Sequence, residues 1–290
     1  MHRSARITAI AVPLAAVIAL TGCSTTNDTK PASTVTTSAT AKAAETKTPT
    51  ITIGDAIGKV ENGKPVIITD EWGAYQKMTL NPDAKFYTTV PADNDGSAKS
   101  NGFTDDDTLS AEKWLATFIT EETLDSSVLD SKNKKNLDWL PEGRKYLTED
   151  MQAIAEEQGN DANIVVAGLW NGDGGSDKIP GRTVRDSRPR ASNVAVTFTK
   201  VRGVEDGGKP YVLFDGTTST RYIADNKGVI EGYSMQGYTL DQVKTRFPNI
   251  DTAKPIAIQS DLTFQYALTR NGNGWALGGY TVEVDHNITD

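Results

Sequence analysis

The chain has 290 residues, with 38 acidic against 30 basic side chains, a formal charge of −8, two histidines and one cysteine. That net charge gives no pull toward nucleic acid or anionic lipid, and so few imidazoles and thiols cannot build a His-rich or Cys-rich zinc site. A mean hydropathy of −0.43 leaves no second membrane segment hidden in the body of the chain.

The first stretch, MHRSAR, carries Arg3 and Arg6 and is followed by a charge-free apolar run from Ile7 to Leu20. About 14 residues are too few for a span, which needs roughly 20, so residues 1–22 read as a signal peptide. The run ends in Leu20-Thr21-Gly22-Cys23, which resembles the lipobox of bacterial lipoproteins. The resemblance implies cleavage between Gly22 and Cys23, a diacylglyceryl thioether on the Cys23 sulfur and acylation of the new amino terminus. The other reading is an ordinary secretory signal whose small residues precede a buried cysteine. Residues 23–50 are rich in Ser, Thr and Ala and poor in large apolar side chains, so they read as a disordered, lipid-anchored tether. With His2 in the leader and Cys23 consumed as an anchor, Cys-His catalysis is excluded. A Ser-His-Asp triad would then need His286, in a carboxyl-terminal stretch, VDHNITD, expected to fray.

Residues 51–104 read as a small β-rich segment. KPVIIT (64–69), AYQKMTL (74–80) and AKFYTTV (84–90) are strand-like, separated by Asn-Gly and Asn-Pro turns, and a long polar connection follows. A helix is expected after Ser110 as N-cap, with Leu109 stapled onto Trp114 and an apolar stripe of Ala111, Trp114, Leu115, Phe118 and Ile119. LDSKNKKNLDWLPEG predicts a short helix or irregular turn, and Tyr146 to Gln158 a second helix stopped by Gly159. Strands are then expected over 162–170, 193–201 and 210–224, the last bent at Gly216. The turn Asp225-Asn226-Lys227-Gly228 would lead into a strand-like VIEGYSM. TLDQVKTRF (239–247) predicts a helix with a Thr239/Gln242 capping box. IAIQSDLTFQYALT (256–269) is a long alternating strand, returned by GWALGGYTVEV after Asn271-Gly272. In that return strand Trp275 and Leu277 have one parity and Tyr280, Val282 and Val284 the other, so a bulge is expected at Gly278-Gly279.

This order of helices followed by long antiparallel strands, over residues 105–290, resembles the nuclear transport factor 2-like (cystatin-like) α+β cone. FITEETLDSSVLD, WLPEGRKYL and GWALGGYTVEV are similar to stretches of uncharacterised actinobacterial extracytoplasmic lipoproteins. The resemblance implies an α+β fold in which a curved antiparallel sheet wraps N-terminal helices, and a place in a cell envelope. It implies no activity.

Motifs with chemical content are few. NGDGGSD (171–177) lacks the last glycine of a dinucleotide loop and reads as a turn, GYSMQG (232–237) is one residue too long for a nucleophile elbow, and DGGKPY (206–211) reads as a hairpin turn. DNDG at 93–96 does not fit an EF-hand, because the first and twelfth positions fall on Pro91 and Gly102. Asp105 to Asp107 suit a helix N-terminus. Asp125, Asp130 and Asp261 are candidate carboxylates for acid-base work, with Asp261 on a solvated face and Asp125 at a helix end. The unusual segment is DKIPGRTVRDSRPRAS (177–192), where Lys178, Arg182, Arg185, Arg188 and Arg190 gather in an acidic protein. Guanidinium forks suit phosphate and carboxylate oxygens, so Arg182, Arg185, Arg188 and Arg190 form a candidate anion-binding loop for lipid headgroups or an anionic wall polymer. The bland reading is a solvated hairpin loop.

The expectation is therefore a binding or interaction module on the extracytoplasmic face of a bacterial cell membrane, held there by its lipid anchor, with no cofactor, metal or catalytic residue assigned. Its partner would be an envelope protein, an anionic wall polymer or a small hydrophobic ligand, and not nucleic acid. A hydrophobic-ligand carrier using a cone pocket and an enzyme using a pocket carboxylate are the alternatives.

Overall fold

A computed structural model of the chain describes residues 51–53, 56–81, 83, 95–126, 136–158, 182–235, 237–252 and 254–289. The leader with Cys23, the strands expected over 84–90 and 162–170, the turn at 171–177, Asp130, Gly159 and Lys178 lie outside the described residues.

The described chain is α+β. Four antiparallel strands of sixteen residues each dominate it: β8 (Ala191–Asp206), β9 (Lys209–Ala224), β10 (Ile256–Asn271) and β11 (Gly274–Thr289). They lie in chain order in one open sheet, and the short β1 (Ile51–Ile53) adds to the free edge of β8. Two hairpins supply the order. Gly207-Gly208 closes β8 onto β9, and Gly272-Asn273 closes β10 onto β11. The single long strand expected across 210–224 is present, whereas the carboxyl-terminal stretch expected to fray is paired through Thr289. Ile288 lies opposite Ile258 and Thr289 opposite Ala257.

A strand buries one face while its inward residues keep one parity, as β9 does from Val212 to Ala224 and β10 from Ile258 to Leu268. Where the parity of the apolar residues changes, a bulge must correct the phase. In β11 the correction falls at Gly278. Ala267 lies opposite Gly279 and Leu268 opposite Leu277, so one residue is extra. Trp275, Leu277, Tyr280 and Val282 all come to the same side, where each is at most 7 % exposed. The bulge expected at Gly278-Gly279 is thus the device that gives β11 one apolar face. β8 is corrected twice, between Ser192 and Ala195 and between Phe198 and Lys200, which keeps Ala191, Val194, Val196, Phe198 and Val201 buried together.

The helices pack on that face. α2 (Asp105–Phe118) begins six residues earlier than Ser110 would allow, because Thr104 accepts from the Asp107 N–H at 3.1 Å and Asp107 accepts from the Thr104 N–H at 2.8 Å. This reciprocal cap outcompetes Ser110, whose hydroxyl instead accepts from Trp275 Nε1 at 3.1 Å. α2 continues into a π-helical turn, Ile119–Thr123. Phe118 meets Tyr266 edge to face at 6.2 Å, and the Tyr222 hydroxyl donates to the Leu124 carbonyl at 3.2 Å, so the helix crosses the sheet diagonally. α3 (Asn136–Gly143) and a 3-10 turn (Arg144–Tyr146) follow. Trp139 Nε1 and the Tyr146 hydroxyl both donate to Glu122, each at 2.9 Å, which fastens this pair to the π turn. α4 (Glu149–Gln158) starts three residues later than the predicted helix, since Leu147 is extended and bridges Leu277.

VIEGYSM is helical and not a strand. α5 (Asn226–Met235) starts where Asp225 Oδ1 accepts from the Lys227 N–H at 3.1 Å, and Val229, Gly232 and Tyr233 are buried at helical spacing. α6 (Leu240–Arg246) has the Thr239/Gln242 capping box expected of it.

The segment before α2 is built from short ladders. β2 (Ile57–Gly58) pairs with β7 (Met78–Thr79), β3 (Val60–Glu61) with β4 (Lys64–Pro65) around Asn62-Gly63, and β5 (Ile67–Asp70) with β6 (Gly73–Gln76). The polar connection before α2 contains a helical turn, α1 (Ser97–Ser100), seated on β8 where Ser97 Oγ accepts from the Gly203 N–H at 2.8 Å.

A Cβ at Gly278 would lie 2.3 Å from the Tyr211 ring. Gly278→Ala is expected to cost about 1–3 kcal/mol in urea unfolding by overpacking. Deleting Gly278 should abolish the cooperative transition, because one half of β11 would then turn its apolar side chains outward.

Candidate functional site

Residues 182–190 form a strap, paired to the body at both ends. Thr183 bridges Ala224, the Val184 N–H donates to the Ile223 carbonyl at 2.9 Å and the Asp225 N–H to the Arg182 carbonyl at 2.8 Å. Further on, the Ser187 N–H donates to the Ala74 carbonyl at 2.9 Å and the Gln76 N–H to the Arg188 carbonyl at 3.0 Å. The strap thus joins the end of β9 to the edge of the β5–β6 hairpin.

Its arginines alternate with the hairpin's aromatic rings. The Arg182 guanidinium lies 4.9 Å from the Trp72 ring and Arg185 lies 5.8 Å from the same ring. Arg185 is also 4.7 Å from Tyr75, and Arg190 is 4.5 Å from Tyr75. Carboxylates neutralise the stack. Arg182 reaches Asp225 at 2.9 Å and Glu231 at 2.7 Å, and Arg185 reaches Asp70 at 2.5 Å. Arg190 is 3 % exposed and donates through Nη1 to the Ser126 carbonyl. Gly73, at φ +133°, makes the close approach feasible, since a Cβ there would sit 2.9 Å from the Arg185 Cβ. Cation-π contacts of this kind contribute roughly 0.5–2 kcal/mol each, more when desolvated, so the stack is a substantial clamp.

Three of the four arginines expected to bind an anion are therefore turned inward with carboxylate, carbonyl or aromatic partners. Arg188 differs. Its side chain is 69 % exposed and rests on Asp186, with Nε donating to Oδ2 at 2.8 Å. Residues 182–190 are paired to the body by backbone bonds, unlike a solvated hairpin loop.

The candidate carboxylates are placed separately. Asp125 is 2 % exposed and accepts from the Met78 N–H at 2.9 Å, which ties β7 to the end of the π turn. Asp261 accepts from Ser219 Oγ at 2.7 Å and Gln259 Nε2 at 3.0 Å on the outer sheet face. There it lies opposite Asp285 and shares a groove of about 470 Å³ with Asp285 and Glu283. Among the described residues no group of three or more histidine, cysteine, aspartate or glutamate side chains could hold a metal ion.

Sequence reasoning missed Glu112. It lies in α2 at 0 % exposure, and neither carboxylate oxygen has a hydrogen-bond partner among the described residues. Burial pushes its carboxyl up to about 8, against a small opposing pull from Lys113. The signal was its spacing, four residues after Thr108 and three or four before Leu115 and Ala116, all of them buried. Burial likewise holds the Tyr266 and Tyr280 hydroxyls in their protonated form far above the usual range.

Comparison of the chain with protein-family models, with curated proteins and with solved structures found no match in any of the three. No helix among the described residues is long and apolar enough to cross a membrane.

Arg185→Met should lower stability by about 2–3 kcal/mol, because it strands Asp70 and removes a layer between Trp72 and Tyr75. Urea unfolding measures the loss, and fluorescence of Trp72 should report the hairpin's detachment. For Glu112 the folded state raises the pKa above its ordinary 4.5. The protonated group is tolerated below that value, and stability falls as pH climbs from there through about 8. Glu112→Met should therefore gain about 4 kcal/mol more at pH 8 than at pH 4, read from paired melting curves.

Proposed function

We propose that the protein is a lipid-anchored binding module on the extracytoplasmic face of a bacterial cell membrane, and that its partner is an envelope protein. The leader and Leu20-Thr21-Gly22-Cys23 support the location, and the tether of residues 23–50 supports a body held off the bilayer. In this reading the sheet is cone-like and curves around α2. The contacts of Phe118 with Tyr266, Ser110 with Trp275 and Leu124 with Tyr222 favour it.

The observation that carries the binding reading is the corner between α5 and α6. Met235, Tyr238 and Leu240 are large apolar side chains exposed by 59 %, 43 % and 45 % within six residues of chain. Backbone hydrogen bonds hold Gly237 and Tyr238 against the end of α5. The Tyr238 N–H donates to the Tyr233 carbonyl at 3.1 Å and the Gly237 N–H to the Ser234 carbonyl at 3.0 Å, with Gly237 at φ +84°. This is a Schellman stop, and the capping box of α6 follows it at once. Tyr238 also stands edge-on to Tyr233 at 5.4 Å. Tyr and Met are enriched in protein interfaces, and Tyr238, with two side-chain torsions, loses little entropy on docking. The rim is mixed, with Asp241, Lys244 and Arg246, which suits a protein better than an anionic bilayer. A carrier has less support, because Phe118, Phe198, Phe214, Phe264 and Tyr266 fill the space between helix and sheet at 0–2 % exposure.

The test uses the full chain in bacterial membranes with a photo-crosslinking residue in place of Tyr238. A discrete protein adduct is expected, lost in Met235→Ser/Leu240→Ser, and adducts mainly with lipid would overturn the protein-partner reading. Cys23→Ala should abolish labelling by a palmitate analogue and release the chain from the membrane; retained label would overturn the anchor.

A further inference from the structure

Beside the strap lies a notch of about 240 Å³, walled by Ala56, Val184, Pro189, Ala191 and Ile223 and by the polar Ser192 and Asn193. Three guanidinium-bearing residues also line it, Arg188, Arg190 and Arg221, against one carboxylate, Asp186. Arg221 projects from β9 opposite Gln259 and Ser192 and makes no ion pair among the described residues. The strap's internal pairs do not use it, and it belongs to no motif in the sequence. Asn193, at the bulge of β8, is held at φ +51°, a conformation that non-glycine residues adopt at some energetic cost. The notch thus joins an excess of fixed positive charge, partly sheltered from water, to small apolar walls.

We infer that this notch binds a small oxyanion, a phosphoryl or carboxylate group on a short carbon body, with Arg221 as its main ligand and Arg188 at the rim. Guanidinium forks match the paired oxygens of either group, and charge-assisted bonds of this type are about twice as strong as neutral ones. The volume admits the anionic group and a few carbons, below the range of drug-sized sites. Arg190 stays in its internal contacts and adds field, while Asp186 holds Arg188 in place and reduces its share. The site stands apart from the α5–α6 corner and does not depend on the lipid anchor, so either reading can fail without the other.

Calorimetric titration of the full chain in detergent at low ionic strength tests the inference, with inorganic phosphate, glycerol 3-phosphate, succinate and a glycerol phosphate oligomer as probes. Saturable one-site binding of at least one probe is expected. Arg221→Gln should weaken it about tenfold, the size of one lost charge-assisted interaction. Arg188→Gln, exposed and harmless to folding, should weaken it about threefold. Lys145→Gln, an equal charge change on an exposed residue of the 3-10 turn, should leave it within twofold. Equal affinity for phosphate and its ester would identify a site for the free anion, and a preference for the ester or succinate one for an organic anion. A gain with the oligomer beyond its number of repeats would identify a polymer contact. No saturable binding of any probe, or equal losses in the Arg221 and Lys145 variants, would overturn the inference.

Discussion

Everything in this fold depends on keeping one face of four sixteen-residue strands in contact with helices. Side chains alternate along a strand, so its inward residues must keep one parity from end to end or the backbone must correct the phase where the parity changes. β9 and β10 keep one parity throughout, and the extra residue at Gly278 and the two phase corrections in β8 restore it in the outer strands. Together they bring Val196, Phe198, Phe214, Phe264, Tyr266, Leu277 and Tyr280 to one surface. The diagonal α2 covers that surface. The outer face is left mostly polar, with Asp261, Gln259, Gln265 and Asp215 exchanging hydrogen bonds with their neighbours across the strands.

The strap shows how an arginine-rich segment in an acidic protein can be structural. A solvated loop would leave its guanidinium groups to water and salt. Here Trp72 and Tyr75 offer ring faces, and Asp70, Asp225 and Glu231 offer charge, so the desolvation of Arg182 and Arg185 is offset on all sides. The β5–β6 hairpin is too short to be stable alone. Clamping it through the stack makes it part of the body, together with β1 on the sheet edge and the Asp125 bond to β7. The same strap carries Arg188 to a notch that Arg221 also lines.

Glu112 is the opposite case. It sits under the helix with no partner among the described residues and is accommodated by staying protonated. A carboxyl so placed lowers stability at neutral pH and above, a cost proteins carry when a group is used or when the surrounding packing leaves no alternative. Neither the notch beside the strap nor the groove beside Asp261 has Glu112 among its lining residues.

Much of the architecture was legible because it rests on short-range rules. Alternation identified β10, the parity change in GWALGGYTVEV located the bulge, and Thr239 with Gln242 marked α6. Where two local signals competed, contacts decided. Thr104 and Asp107 displaced Ser110 as the cap of α2, and VIEGYSM, apolar enough for either state, became helical because Asp225 caps it and Val229 and Tyr233 find the core at helical spacing. The fate of the arginines was beyond the sequence. Arg182 lies 110 residues from its ring partner Trp72, and nothing local says whether a guanidinium meets solvent, an aromatic face or a carboxylate. The sequence by itself determined the long alternating strand β10 and the phase change in β11, because each depends on neighbours a few residues apart. Only the tertiary structure decided which charges are internal, which apolar side chains stand out at the α5–α6 corner, and that Arg221 shares a notch with the strap. Those outcomes depend on what the fold brings together across a hundred residues.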